Sequence, residues 1–521
     1  MKYCPVCHES YADETLNFCL EDGSHLLTEE FISNSPTIAF RTSFSTPNSL
    51  RSFSGNTPSI AILPFVNVSA DPENEYFCDG LAEELINSLM KLDKLRVAAR
   101  TSTFAFKGRE SDVRYIGQNL NVQTVLEGSV RKSGDHLRIV AQLINVTDGY
   151  QIWSERYDRQ LADIFEIQDD IALAIVDALK VKLLTNEKAI LRKRYTDNVE
   201  AYQLYLKGRL WNRRTADGFK SAIGYFQKAI EIDDSYAIAH AGLADYYTVL
   251  GFYEGLPPHI AGAKAKQFAN RGIELDNTIG ETHASYGVTL GAFDWNWAEA
   301  RKAYRRAMEI NPYYMPAYQY LAMNLLIQNE PDEALENAQH CIEIDPLLPV
   351  INANLAWFYY LSRKYSQAEE QARLTIDIEP NHFTAHWVLG LTQAARENYD
   401  EALASLQNAV TISSDRPFVL AELARVQALA DKEKEARDIL NSFENAAADN
   451  YISPVNPAKV YLGLGETDKV FECLEKGFEG HAVRMPYFLI DPQCDSIRSD
   501  ERLADITKRM GIGPHVSRPA I

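Results

Sequence analysis

Three observations predict a multidomain chain with a cysteine-bearing head, a compact α/β domain and a long all-helical solenoid. The first is the stretch YCPVCHESYADETLNFCLEDGSHL at residues 3–26, where three of the seven cysteines gather. The second is a switch near Ser59 to runs with strand-type and helix-type apolar patterns. The third is a 34-residue step: Pro312, Pro346 and Pro380 recur at that spacing, as do Leu321, Leu355, Leu389 and Leu423. At 521 residues the chain can bury several cores.

The head spans residues 1–27. Cys4 and Cys7 form a C-x2-C knuckle, Cys19 follows in FCLED, and Asp22 stands where a fourth cysteine would complete a second knuckle. Zinc takes four tetrahedral ligands and favours thiolates. Three thiolates completed by Asp22 or His25 suit a structural zinc ion, with His8 close by. The alternative is a metal-free hairpin in which Phe18 and Leu20 pack on Tyr3, although 25 residues offer little core without metal. Cys78, Cys341, Cys473 and Cys494 are scattered, which is not a disulfide framework and predicts a reduced, cytoplasmic protein. MKYCPVCHES has no apolar signal core and no run approaches 18 apolar residues, so no membrane span is expected. A net charge of −20 argues against coating nucleic acid or anionic lipid. Residues 1–27 hold one Lys and no Arg, too few for phosphate contacts.

Residues 28–57 are rich in Ser, Thr, Asn and Pro, lack either period, and predict a flexible linker. The α/β domain is expected over 58–186. IAILPFV (60–66) predicts a buried strand, and 75–92 an amphipathic helix with Leu81, Leu85, Leu89 and Leu92 on one face. Asp79-Gly80 is a capping pair, and Glu83 and Glu84 suit a helix's first turns. LRVAAR (95–100) predicts a second strand and 112–121 a short helix. Residues 125–158 read as a meander turning at Ser133-Gly134-Asp135 and Asp148-Gly149, closed by a helix from about Asp163 to Leu184.

Helical repeats are expected over 195–480, about eight of them. Ala322, Ala356, Gly390 and Ala424 keep the 34-residue register, as do Ala334, Ala368, Ala402 and Ala436. Small residues let the two helices of a repeat approach, and proline stops the second helix by pushing its predecessor out of the α region. Outlying repeats include one with a long FYEGLPPH loop and a divergent last unit, PAKVYLGLGETDKVFECLEKGFEG. The tail, 481–521, is expected to cap the stack.

These stretches resemble three families. The 34-residue register is similar to tetratricopeptide repeats, which implies a concave superhelix. Residues 59–184 resemble the TolB amino-terminal-like domain through IAILPFVNVSADPENEYFCDGLAEELINSL, VAARTSTFAFKG and LEGSVRKSGDHLRIVAQLINVTDGYQIWSERYD. That resemblance implies a non-catalytic module of the kind that precedes such repeats in bacterial proteins, often behind an effector domain. The head resembles a short zinc ribbon.

The function expected is a non-enzymatic scaffold that holds a protein or peptide partner in the concave groove. In the tetratricopeptide register Gln319, Met323 and Leu326, then Trp357 and Tyr360, then Trp387 and Leu391 face that groove, giving an aromatic floor. The bland alternative is that these aromatics pack between repeats. A regulator using the ribbon as a contact module is a second reading. An enzyme on the α/β domain is a third, and convergent acids in a pocket would favour it. The sequence shows no P-loop, G-x-S-x-G, H-E-x-x-H or kinase signature.

Overall fold

The computed structural model describes residues 2–3, 10–11, 27–28 and 57–513, apart from 93, 110–111, 182, 184–190, 192–193, 211–215 and 449. Residues 1–56 and 57–521 are separate compact units. In the first, β1 (Lys2–Tyr3) pairs antiparallel with both β2 (Ser10–Tyr11) and β3 (Leu27–Thr28). Cys4, Cys7, Cys19, Asp22 and His25, and positions 29–56 of the expected linker, lie outside the described residues.

The second unit opens with a mixed sheet. Its strands are β4 (Ser59–Ile62), β5 (Val66–Asn67), β6 (Arg96–Val97), β7 (Thr124–Ser133), β8 (His136–Asn145) and β9 (Gln151–Gln160). The order is β6-β4-β7-β8-β9, with β5 beside the far end of β7. β6 and β7 run parallel to β4, whereas β7, β8 and β9 form the expected meander. Gly134 takes φ +58° in the first hairpin, a left-handed turn conformation that glycine adopts without a Cβ penalty. Helices α1 (Glu75–Met90) and α4 (Ile164–Ala178) bury Leu81, Leu85, Leu89, Ile167, Ile171 and Ile175 against Leu137, Ile139 and Leu143 of β8. α2 (Arg100–Phe104) and α3 (Val113–Leu120) complete the module, and Ile116 of α3 joins Ala61, Val125 and Val146 in a smaller core.

Three local expectations change. The strand over 95–100 shortens to β6 because α2 begins at Arg100. The closing helix stops at Ala178, since Lys180 turns left-handed at φ +54°. Asp79-Gly80 sits inside α1 instead of capping it. Glycine is needed there for packing, because a Cβ would lie 2.7 Å from Leu206 Cδ1, and Asp79 pairs with Lys107 at 2.6 Å.

A tetratricopeptide-like superhelix follows. Among the described residues it comprises eight helical hairpins: α5 (Val199–Leu210) with α6 (Ala216–Ile232), α7 (Ala237–Phe252) with α8 (Pro258–Leu275), α9 (Gly280–Asp294) with α10 (Trp297–Ile310), α11 (Met315–Ile327) with α12 (Pro331–Ile344), α13 (Pro349–Leu361) with α14 (Tyr365–Ile378), α15 (Phe383–Ala395) with α16 (Tyr399–Ser413), α17 (Pro417–Leu429) with α18 (Glu433–Ala446), and α19 (Val455–Gly463) with α20 (Thr467–Glu479). Small residues sit where helices cross: a Cβ on Gly287 would meet Tyr304 at 2.6 Å, and one on Gly390 would meet Leu406 at 2.6 Å. The residues before the three periodic prolines, Asn311, Asp345 and Glu379, are extended, with φ of −133°, −141° and −138°.

The hairpin turns carry a second 34-residue series. Asn329, Arg363, Glu397, Asp431 and Gly465 all take positive φ, between 58° and 74°. Each ends its helix in a Schellman-type turn. The following N–H reaches back to the helix, as in Glu330 to Leu325 O and Lys364 to Tyr359 O, both 2.9 Å. Four of these five positions are not glycine.

The array does not leave its concave side open throughout. α21 (Met485–Ile490), a 3₁₀ turn (Pro492–Ile497) and α22 (Glu501–Arg509) turn back from the last repeat. α22 covers α20, with Arg502 over Phe471 and Arg509 over Phe478, as a cap would. Beyond that, Met485, Phe488, Leu489, Ile490, Cys494 and Ile497 enter the core shared by the middle repeats. The tail also ties the end of the array to its early repeats. Trp297 Nε1 donates to Met510 O at 2.8 Å, and Trp295 stacks on His481. Asn456 of the last repeat donates to Glu254 of the second at 2.6 Å. The superhelix therefore closes into a turn around its own C-terminal segment.

Candidate functional site

Where the α/β module meets the repeats, the concave side encloses a cavity of about 410 Å³. α1 and the start of α2 form its roof, and α4 one wall. The first helices of repeats one to three form the floor, and the loops before α11 and α13 the rim. The roof is fixed because α1 and α5 share a core through Leu81, Leu85, Tyr202, Tyr205 and Leu206.

Glu83 and Glu84, assigned from sequence to a first turn, lie deeper in α1 and line this cavity. Glu83 pairs with Arg100 at 3.1 Å and with Arg209, and Arg209 reaches Glu84 at 3.5 Å. Burial pushes the Glu84 carboxyl upward; Arg209 opposes the shift and Glu83 adds to it. Arg194 pairs with Asp169 at 3.3 Å, and Lys91 donates to the Tyr195 hydroxyl at 3.3 Å. Two further carboxylates have neutral donors. Glu281 accepts from Asn311 Nδ2 at 3.2 Å, and Asp345 Oδ2 accepts from the Thr101 N–H at 3.2 Å. Asp345 is 3% exposed, its Oδ1 has no hydrogen bond, and burial raises its pKa. Burial also raises the hydroxyls of Tyr195 and Tyr205, and the nearby carboxylates add to the effect.

The sequence-predicted groove residues lie elsewhere, under the tail. Trp357 and Trp387 are each 4% exposed, Tyr360 and Leu391 are fully buried, and Gln319 and Leu326 are buried as well. Met323 is half-buried against the same core. The structure brings Trp357 and Trp387 together at 5.6 Å between ring centres, and Tyr487 of the tail packs on Trp357 at 5.3 Å. Tyr360 donates to Asp491 Oδ1 at 2.6 Å, and Arg484 lies over Phe418 at 3.9 Å and Trp387 at 5.5 Å. These aromatic residues are packed in the core that the tail shares with the middle repeats. Glu422, fully buried, holds Arg425 at 2.9 Å and Lys459 at 2.6 Å.

Arg209, Tyr205, Tyr314, Glu281 and Asp345 escaped the sequence reading as cavity residues. A usable signal existed for Asp345 alone. It precedes Pro346 in a column occupied by Asn311 and Glu379, so polarity there is periodic. Among the described residues no cluster of His, Cys, Asp and Glu could hold a metal ion. Cys78 and Cys341 are buried thiols whose pKa burial pushes up to about 12, which makes them inert. No helix among the described residues is long and apolar enough to cross a membrane.

Comparison with known proteins adds the following. Residues 56–192 match the family model described as the second domain of HilA/YgeH-like transcriptional regulators. The chain is 39% identical over 236 residues to "Putative adenylate cyclase 3" of Rhizobium meliloti (strain 1021), a match covering 45% of this chain and 40% of that protein. The chain thus spans well under half the length of this relative. Among solved structures it is similar to YrrB, titled a TPR protein with an unusual peptide-binding site, at 22% identity and a TM-score of 0.25 over 37% of this chain and 95% of YrrB. It is also similar to a chain of the APC/C hetero-tetramer Cut9-Hcn1, at 15% identity and a TM-score of 0.41 over 67% of this chain and 63% of that one.

Proposed function

We propose that this chain is a non-enzymatic interaction scaffold that takes its partner in the cavity between the α/β module and the first repeats. One observation carries the reading: the middle of the concave face is filled by residues 484–511, while its beginning is roofed and hollow. A cavity of this size, lined by aromatic side chains and fixed charged groups, suits one protruding element of a peptide. In this reading residues 58–186 are a TolB-like, non-catalytic roof, and the repeats over 195–480 are the frame. The likeness of residues 56–192 to a domain of transcriptional regulators, and of part of the chain to a protein named as a cyclase, supports a regulatory setting. Cys4, Cys7 and Cys19 with Asp22 or His25 would hold a structural zinc ion in a separate contact module, since three thiolates and one harder donor form an acceptable zinc set.

The test is photo-crosslinking in cells, with a benzophenone amino acid placed at Tyr314 in the cavity or at Leu374, an exposed position on α14. A defined protein adduct from position 314 alone, reproduced with the purified partner, supports the reading. Adducts from position 374 alone would overturn it. Zinc released on blocking the thiols of the purified chain, and lost in Cys19→Ala, would support the head site.

A further inference from the structure

We infer that the cavity receives a cationic group, a guanidinium or an ammonium, carried by a basic peptide or a polyamine; this rests on the cavity being the recognition site. Among the described residues the lining holds six carboxylates against four cations. The cations are engaged: Arg100 and Arg209 with Glu83, Arg209 also with Glu84, Arg194 with Asp169, and Lys91 with the Tyr195 hydroxyl. Among the described residues Glu281 and Asp345 form no ion pair: Glu281 accepts from Asn311 Nδ2 and Asp345 from the Thr101 N–H, with Arg100 acting on Asp345 through its charge alone. Asp345 is the telling one. It is 97% removed from solvent, lines the cavity, and keeps Oδ1 free of hydrogen bonds. Leaving a buried carboxylate oxygen unpaired is costly, and a charged donor from a ligand would relieve that cost.

The remaining walls suit the same guest. Tyr205, Tyr236, Tyr314 and Tyr320 line the space, and their ring faces attract cations. The chain as a whole carries a net charge of −20, which draws cations towards it. An anionic guest would have to displace Glu83, Glu84 or Asp169 from their arginines. A neutral one would leave the excess charge of the lining unanswered.

The experiment uses the purified full-length chain and four probes, followed by titration calorimetry. The probes are spermidine, the peptide acetyl-Ala-Ala-Arg-Ala-Ala-amide, its citrulline analogue and its glutamate analogue. The expected result is that the arginine peptide or spermidine binds, the citrulline and glutamate peptides do not, and Glu281→Gln and Asp345→Asn each weaken binding by about tenfold or more. Which cation binds decides between a peptide and a free polyamine. Folding of both variants is checked by circular dichroism, and both substitutions are near-isosteric. Equal binding of citrulline and arginine peptides, or unchanged affinity in both variants, overturns the inference. Binding of the glutamate peptide in competition with the crosslink at position 314 overturns the charge assignment while leaving the cavity as the recognition site. Failure of all four probes together with no crosslink at 314 removes both.

Discussion

The two halves of the concave face are built from the same repeats and have opposite interiors. Around α13, α15 and α17 the space is packed by the tail: Glu422 is paired with both Arg425 and Lys459, and Asp491 accepts from the Tyr360 hydroxyl. Around α5, α7 and α9 the space is hollow, and Asp345 is buried with no cation paired to it. A matched buried charge holds structure together, whereas an unmatched one weakens it and persists where something else uses it. The difference teaches that the repeat frame does not decide which stretch of its inner surface is free. The segment after the last repeat decides it.

The filled half is where the comparison breaks most violently. Glu422→Ala would leave Arg425 and Lys459 buried without a counter-charge, and stability should fall by about 3–5 kcal/mol. Burial alone would raise the Glu422 carboxyl, but Lys459 and Arg425 outweigh it and hold its pKa below the usual range. A depressed folded-state pKa contributes stability above the unfolded value and loses it as pH falls through the folded one. Wild type should therefore lose this contribution progressively on acidification below about pH 4.5, where the unfolded carboxyl begins to take up protons. Thermal melts from pH 7 to 3 check both points. A Glu422→Ala protein that melts within a degree or two of wild type would show that the triad does not hold the tail.

A gentler probe of the same half is Tyr360→Phe. It removes the 2.6 Å donor to Asp491 and leaves that carboxylate with the Gln493 N–H at 3.0 Å. The expected loss is about 1–3 kcal/mol, concentrated where the tail meets α13. Hydrogen exchange should show faster amides in residues 485–497 and α13, with β7 and β8 unchanged. Uniform acceleration across the chain would mean that tail and repeats open together with the sheet.

Much of this was legible beforehand. The 34-residue columns gave the register of the hairpins, because small residues at helix crossings and prolines after helix ends are local requirements. β4, α1 and the β7–β8–β9 meander could be read from period and turn residues. The two interiors could not. Arg484, Asp491 and Arg498 look like an ordinary polar tail, and their burial depends on the superhelix closing through pairs such as Trp297 with Met510, 213 residues apart. The cavity unites Glu83, Arg209, Glu281 and Asp345 from four elements distant in sequence, and no local pattern marks such convergence. Trp357, Tyr360 and Trp387 are buried in the core shared with the tail, and a repeat register says which helix face a residue occupies without saying whether a later segment covers it.

The hollow half should respond with the opposite sign. Asp345→Asn keeps an acceptor for the Thr101 N–H and removes the buried charge. Burial raises the Asp345 carboxyl despite its hydrogen bonds, so the folded state holds a proton that the unfolded state releases at lower pH. Such a group opposes folding as pH rises above the unfolded pKa and has no effect well below it. The variant should match or exceed wild-type stability at pH 7, by up to about 1 kcal/mol, and converge with it in acid. Melts at pH 7 and 3.5 check this. A clear loss at pH 7 would mean that Asp345 serves the fold as Glu422 does, and the contrast between the halves would fail.

The smallest expected effect lies in the frame that both halves share. Glu397 takes φ +63° at the turn between α15 and α16, and its side chain is exposed. A Cβ in that conformation is strained, while glycine adopts it freely at the cost of a looser unfolded chain. Glu397→Gly should therefore stabilise by a net of about 0.5–1 kcal/mol, read as slower hydrogen exchange at the end of α15. At Asp431, the equivalent position of the next repeat at φ +58°, the gain should be smaller, because aspartate tolerates the left-handed region better than glutamate. A loss at both positions would mean that the charged side chains support the turns directly. A gain that follows the order Glu397 then Asp431 would show that the turn is imposed by helix packing on either side, which explains why its 34-residue period is regular in backbone and nearly invisible in sequence.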